Sequence, residues 1–253
     1  MKITFLGTGT SQGVPVIGCD CEVCASVDFQ DKRLRSSIHV EWQGTSIVVD
    51  TGPDFRQQML ANRIKRLDAV LFTHEHKDHT AGLDDIRSFN FLQQMAIPIY
   101  ARQPVIDQLK QEYAYIFSDS KYPGIPQVAL HSIVNKPFEI IGLPIIPIEV
   151  RHHQMPVFGF RFGDFTYITD ANDIDNQEME KIRGSKVLVV NALQRTHHIS
   201  HFTLQEALDL IAELKPEQAY LTHISHKLGR HRDVKKELPE NVHLAWDGLV
   251  IEQ

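Results

Sequence analysis

The segment Thr73-His74-Glu75-His76-Lys77-Asp78-His79 sets four metal-ligand side chains, His74, His76, Asp78 and His79, within six residues. It follows an apolar run at 69–72 that reads as a short strand. The ligands therefore emerge together where strand gives way to loop. Two imidazoles two residues apart reach one ion, and the Asp-His pair just after them reaches a second. Imidazole suits zinc, iron or nickel, and added carboxylate widens the choice to manganese. An isolated His pair is commonly a surface accident, whereas four ligands in this order are specific. The 14 histidines of the chain point the same way, because His is the commonest metal ligand and a frequent acid–base group.

Composition excludes several other classes. The 253 residues are 42% hydrophobic, enough for a full core. No run of about 18 apolar residues exists, so no membrane span is expected. A formal charge of -6 argues against a broadly basic nucleic-acid surface. The start, Met1-Lys2-Ile3-Thr4-Phe5-Leu6-Gly7, does not read as a signal peptide, and a cytoplasmic location is expected. All three cysteines stand in Cys19-Asp20-Cys21-Glu22-Val23-Cys24. In that compartment an odd, clustered set reads as metal binding rather than a disulfide framework.

Periodicity predicts strands at 2–6, 37–42, 45–50, 69–72, 98–101, about 138–150, 157–163, 164–169, 187–191, 219–222 and 242–252. Helices are expected at 54–61, 83–95, 104–115, 178–182, 203–214 and 234–238. Residues 12–35 look irregular, and 117–127 reads as a loop. Strands crowd both halves with helices between them, so two β-sheets covered by helices are expected. We expect one domain over 1–253, with a zinc-binding insertion at about 14–35.

The His-x-His-x-Asp-His segment resembles the signature of the metallo-β-lactamase superfamily. After it, that family has an isolated His, an Asp after a strand and a late His after another strand. Here His153 precedes Gln154-Met155-Pro156, Asp170 ends Phe165-Thr166-Tyr167-Ile168-Thr169, and His223 ends Ala219-Tyr220-Leu221-Thr222. The resemblance covers nearly the whole chain and implies an α+β fold, an αββα sandwich of two sheets flanked by helices. It implies one ion on His74, His76 and His153, a second on Asp78, His79 and His223, and Asp170 shared by both. His152 adjoins His153 and is the alternative ligand; the spacing to Phe158-Gly159-Phe160 favours His153. Asp50, in Val49-Asp50-Thr51-Gly52, stands where the family has Asp-x-Gly. It is expected to hold the outer N–H of a ligand imidazole.

Three thiolates need a fourth ligand for a tetrahedral structural zinc. Thr222-His223-Ile224-Ser225-His226 offers one in His226. The spacing of Cys19, Cys21 and Cys24, with that run, resembles the PhnP-like cyclic-phosphate phosphodiesterases of the superfamily, in which such a set holds zinc. The resemblance implies two divalent ions, manganese or zinc, besides the structural zinc. It also implies hydrolysis of a small, cyclic phosphodiester by attack of metal-bound hydroxide, and a homodimer. His201, just before the 203–214 helix, is the candidate proton donor to the leaving oxygen. Gly7-Thr8-Gly9-Thr10-Ser11 resembles the family's N-terminal Gly loop, whose backbone is able to approach a phosphate. The alternative reading is an RNase-Z-like tRNA 3′-processing endonuclease, which shares the ligands. A thioesterase and a non-catalytic metal-binding scaffold stand behind it.

Overall fold

The computed structural model describes residues 1–118 and 122–253. Its strands are β1 (Lys2–Gly7), β2 (Ser37–Trp42), β3 (Thr45–Val49), β4 (Ala69–Leu71), β5 (Ile97–Ala101), β6 (Val128–Ser132), β7 (Phe138–Ile140), β8 (Leu143–His152), β9 (Met155–Phe162), β10 (Phe165–Tyr167), β11 (Val187–Asn191), β12 (Gln218–Thr222), β13 (Val242–Leu244) and β14 (Val250–Glu252). They form two seven-stranded mixed sheets, in the orders β14-β1-β2-β3-β4-β5-β6 and β13-β12-β11-β10-β9-β8-β7. Helices flank both, as expected for the metallo-β-lactamase fold. Among the described residues no helix is long and apolar enough to cross a membrane.

The chain divides into two compact units, one per sheet. The first comprises Met1–Leu6, Ser37–Val134 and Gly248–Gln253. Its β2–β3 hairpin turns at Gln43 (φ 48°) and Gly44 (φ 84°), the left-handed pair that matches strand twist. Then β3, β4 and β5 run parallel, and their apolar side chains Val48, Val70, Ile97 and Ile99 are covered by helices. The covering residues are Phe55 and Met59 of Phe55–Ala61, Phe89 of Arg87–Gln93, and Val105, Ile106 and Leu109 of Gln103–Glu112. Gly82 lies so close to the Gly52 carbonyl that a Cβ would sit 2.1 Å from its oxygen. That approach draws the segment after His79 onto the loop after β3.

The second unit comprises Gly7–Ser36 and Asn135–Asp247. Every residue of β11 is buried, as in parallel strands covered on both faces. Helix Leu204–Leu214 buries Leu204, Ala207 and Ile211, a three-to-four-residue stripe against Leu188, Val190 and Leu221. Its start is fixed by a capping box: Glu206 N–H donates to Thr203 Oγ1 at 3.2 Å and Thr203 N–H to Glu206 Oε2 at 2.7 Å.

The structure redraws three expectations. The helix expected at 83–95 begins as a 3₁₀ turn, Leu83–Ile86, before the α-helix. The strand expected at 242–252 is two, β13 and β14, in different sheets. They are parted at Trp246-Asp247-Gly248, where Gly248 takes φ 88°. Strand β6 was not anticipated. It is a half-exposed edge strand with no apolar alternation. Residues 119–121 of the expected 117–127 loop lie outside the described residues.

Candidate metal centre

In the first unit the ligand segment is organised by Asp50. β3 ends at Val49, and Asp50 takes a left-handed φ of 65°. Such backbone is unusual for a non-glycine residue and marks functional junctions. Its fully buried carboxylate accepts from Thr73 N–H (2.9 Å), Thr73 Oγ1 (2.8 Å) and His79 Nδ1 (2.7 Å). Burial pushes the Asp50 carboxyl up, and His79 and Thr73 pull against it. With the Thr73 hydroxyl proton given to Asp50, Thr73 Oγ1 accepts from His74 Nδ1 at 2.9 Å. Both imidazoles thus carry their proton on Nδ1 and present a lone pair at Nε2.

The His79 lone pair meets a further acceptor, and that of His74 faces another ring nitrogen. His79 Nε2 lies 3.2 Å from Asp78 Oδ2, and His74 Nε2 lies 3.1 Å from His76 Nδ1. A lone pair 3.2 Å from a carboxylate oxygen is favourable only with a cation at hand. This donor set fits divalent metal ions.

The second unit repeats the device. Asp170 follows β10 with φ 58°, and His223 follows β12 with φ 53°. Asn191 clamps the loop after Asp170, accepting from Ala171 N–H at 2.8 Å and donating to Ala171 O at 2.9 Å. Asp170 Oδ1 lies 3.0 Å from His223 Nδ1, and its Oδ2 lies 3.3 Å from His201 Nε2. The rings of His201 and His223 stack at 4.8 Å. His201 is anchored through the next residue: Phe202 N–H donates to Ala171 O and its carbonyl accepts from Leu193 N–H. Burial pulls the His201 imidazole down to about 4, against the raising effect of Asp170.

The structure buries His152 and exposes His153. His152 is 7% exposed, donates Nδ1–H to Ser200 O at 2.8 Å, and packs edge-on against His201 at 4.6 Å. His153 is exposed, in the turn after β8 with φ 58°, and donates its N–H to Asn172 Oδ1. Strand alternation explains this, for Ile148, Val150 and His152 fall on one face. Sequence reasoning also passed over Thr73 and Asn191. Thr73 adjoins the signature and was legible; Asn191 carried no signal beyond a polar residue ending a buried strand.

The cysteine cluster lies wholly within the second unit. Cys19, Cys21 and Cys24 Sγ lie 3.3, 3.3 and 3.5 Å from His226 Nδ1. The four ligand atoms are within 4.8 Å of one another, as tetrahedral coordination needs. The Cys24 N–H helps hold the Cys21 thiol down at about 6, while burial pushes Cys24 up to about 11.

This geometry agrees with comparisons to known proteins. Residues 45–224 match the model of the beta-lactamase superfamily domain. A crystal structure of a new diphosphatase from the PhnP family superposes with a TM-score of 0.93 at 40% identity, covering 100% of this chain and 97% of that one. Human short-form tRNase Z shares the fold, with a TM-score of 0.72 at 18% identity over 100% of this chain and 99% of its own. An octanoyltransferase of Porphyromonas gingivalis is 38% identical over 98% of this chain, which spans only 51% of that relative's length. The chain belongs to the metallo-β-lactamase superfamily. Within that superfamily it is PhnP-like.

Proposed function

We propose that the protein is a dinuclear metal-dependent phosphodiesterase acting on a small phosphodiester. One ion is assigned to His74, His76 and His152, the latter replacing His153, and a second to Asp78, His79 and His223, with Asp170 shared. When bound, the two ions supply Lewis acidity, lower the pKa of a water and neutralise charge on the phosphoryl oxygens. Asp50 keeps the Nε2 lone pairs of His74 and His79 directed at the ions. His201 Nε2 holds the proton that the leaving oxygen takes up. Cys19, Cys21, Cys24 and His226 hold a structural zinc, and residues 14–35 form the insertion that carries the thiolates.

The observation that carries this reading is Asp170, a buried carboxylate with an imidazole against each oxygen, at 3.0 and 3.3 Å. One side supplies a ligand pair, the other a proton donor. Similarity to a diphosphatase supports phosphorus chemistry over a thioesterase. The pair of active-site ions is manganese or zinc, and a cytoplasmic homodimer completes the reading. Turnover of 2′,3′-cyclic AMP by metal-loaded protein, abolished by EDTA and restored by manganese or zinc, is expected; none with either metal would reject it.

An RNase-Z-like activity is the second reading, favoured by 29% identity to a Bradyrhizobium ribonuclease Z over 54% of this chain. The net charge of -6 opposes it. Retention of tRNA in a gel shift at moderate salt would favour this reading.

A further inference from the structure

Two helices of the first unit, Phe55–Ala61 and Arg87–Gln93, leave a cavity of about 410 Å³ between them. That size falls within the ~300–1,000 Å³ typical of small-molecule sites. Phe55, Met59, Leu60, Ile64, Phe89 and Leu92 line it, and no proposed metal ligand does. Phe55, Met59 and Phe89 are buried, but Leu60 and Leu92 stay 62% and 69% exposed. Leucines left in water beside a concave apolar wall are surface that an apolar chain would cover with gain. Asp85 is the one carboxylate in this lining, against the cations Arg56, Arg63 and Lys65.

A second cavity, of about 330 Å³, adjoins the first and shares Arg63, Ile64 and Lys65 with it. Its lining is polar and includes Lys2, Glu41 and Arg66. Lys2 takes up Glu41 at 2.7 Å, and Asp68 takes up Arg66 at 2.7 Å. Arg63 and Lys65 have no side-chain acceptor among the described residues. The turn that ends helix Phe55–Ala61 fixes Arg63 at this junction. Arg63 N–H donates to Leu60 O at 3.2 Å and Ile64 N–H to Met59 O at 3.0 Å, with Arg63 at a left-handed φ of 54°. Glycine is the usual residue at that position; here a strained backbone carries a guanidinium where apolar and polar cavities meet.

We propose that the adjoining cavities bind a single-chain amphiphilic anion, a medium-length alkyl carboxylate or phosphate. Its chain lies between the two helices, against Leu60 and Leu92, and its head is held by Arg63 and Lys65. Guanidinium and ammonium groups suit either head. An inorganic anion would leave the apolar cavity in water, and a neutral apolar ligand would leave both cations without a partner. The site is separate from the proposed metal centre and does not depend on the phosphodiesterase reading.

The test is calorimetric titration of the metal-loaded protein with hexanoate, octanoate, decanoate and octyl phosphate. Affinity is expected to rise about fourfold per added methylene along the carboxylate series. The tighter of octanoate and octyl phosphate identifies the head group. Leu92→Ser and Arg63→Gly should each weaken decanoate binding about tenfold or more. Leu92 is exposed, and glycine suits the left-handed turn, so both variants should keep wild-type midpoints or better in urea denaturation. No binding, no dependence on chain length, or unaltered affinity in either variant would overturn the site; a head held by the metal centre instead would give that last result. Sedimentation with phosphatidylglycerol vesicles, without binding of the soluble anions, would overturn it in favour of a membrane-contact surface.

Discussion

Asp50 Oδ2 accepts from His79 Nδ1 at 2.7 Å, with both side chains fully buried. Through Thr73 the same carboxylate also fixes the proton of His74. One residue outside the proposed ligand set therefore decides which nitrogen two ligands present. Outer partners of this kind are worth about 10–100-fold in metal affinity. Asp50→Asn keeps the shape and tolerates the left-handed φ, but puts an N–H₂ where an acceptor is needed. Metal affinity, read by competition with a chelator, is expected to fall by roughly that factor. Unaltered affinity would remove Asp50 from the account.

His201→Ala should separate proton donation from metal binding. A p-nitrophenolate leaves without a proton, so turnover of bis(p-nitrophenyl) phosphate should fall less than about tenfold. A substrate with an alkoxide leaving group should lose roughly 10²–10⁴-fold. Metal content should not change. Equal losses on both substrates would contradict the assignment.

Cys24→Ser replaces a thiolate with a hydroxyl, a poor zinc ligand. Zinc per chain should fall by about one. The stretch from 16 to 26 should lose hydrogen-exchange protection, because the small apolar cluster of Val14, Val23 and Cys24 is packed by Val16 and by the proposed ligands Cys19 and Cys21. Unchanged zinc content would contradict the structural site.

His39 makes part of the fold acid-sensitive away from the proposed ligands. Ser46 Oγ donates to Arg66 O at 2.6 Å, so it accepts from His39 Nε2 at 2.7 Å. Burial holds the imidazole down at about 4, with Glu41 raising it and Lys2 lowering it. The folded state thus binds fewer protons than the unfolded chain between pH 6.5 and about 4. Stability from this group is present above that window and lost as pH falls through it, by at most about 3 kcal/mol. In urea denaturation, His39→Gln should flatten this part of the profile. Parallel profiles for variant and wild type would contradict it.

The signature was legible because its candidate ligands are contiguous and leave a strand end together. Asp170 and His223 were legible only in chain order, since alone each resembles a cap or a core residue. The burial of His152 was not anticipated because a spacing argument outweighed the two-residue alternation through Ile148 and Val150. Edge strand β6 was missed for the opposite reason: half-exposed and, among the described residues, paired only with β5, it has no alternation to read. The proton positions set by Asp50, Thr73 and Ser200 were beyond sequence, because they depend on contacts that folding creates.

The most direct test of the central claim is hydrolysis of bis(p-nitrophenyl) phosphate by metal-loaded wild type and Asp78→Ala, with manganese or zinc added. The account predicts metal-dependent turnover in the wild type and loss of most of it in a variant that keeps its fold by circular dichroism. Activity retained in Asp78→Ala, or turnover indifferent to metal, would contradict it.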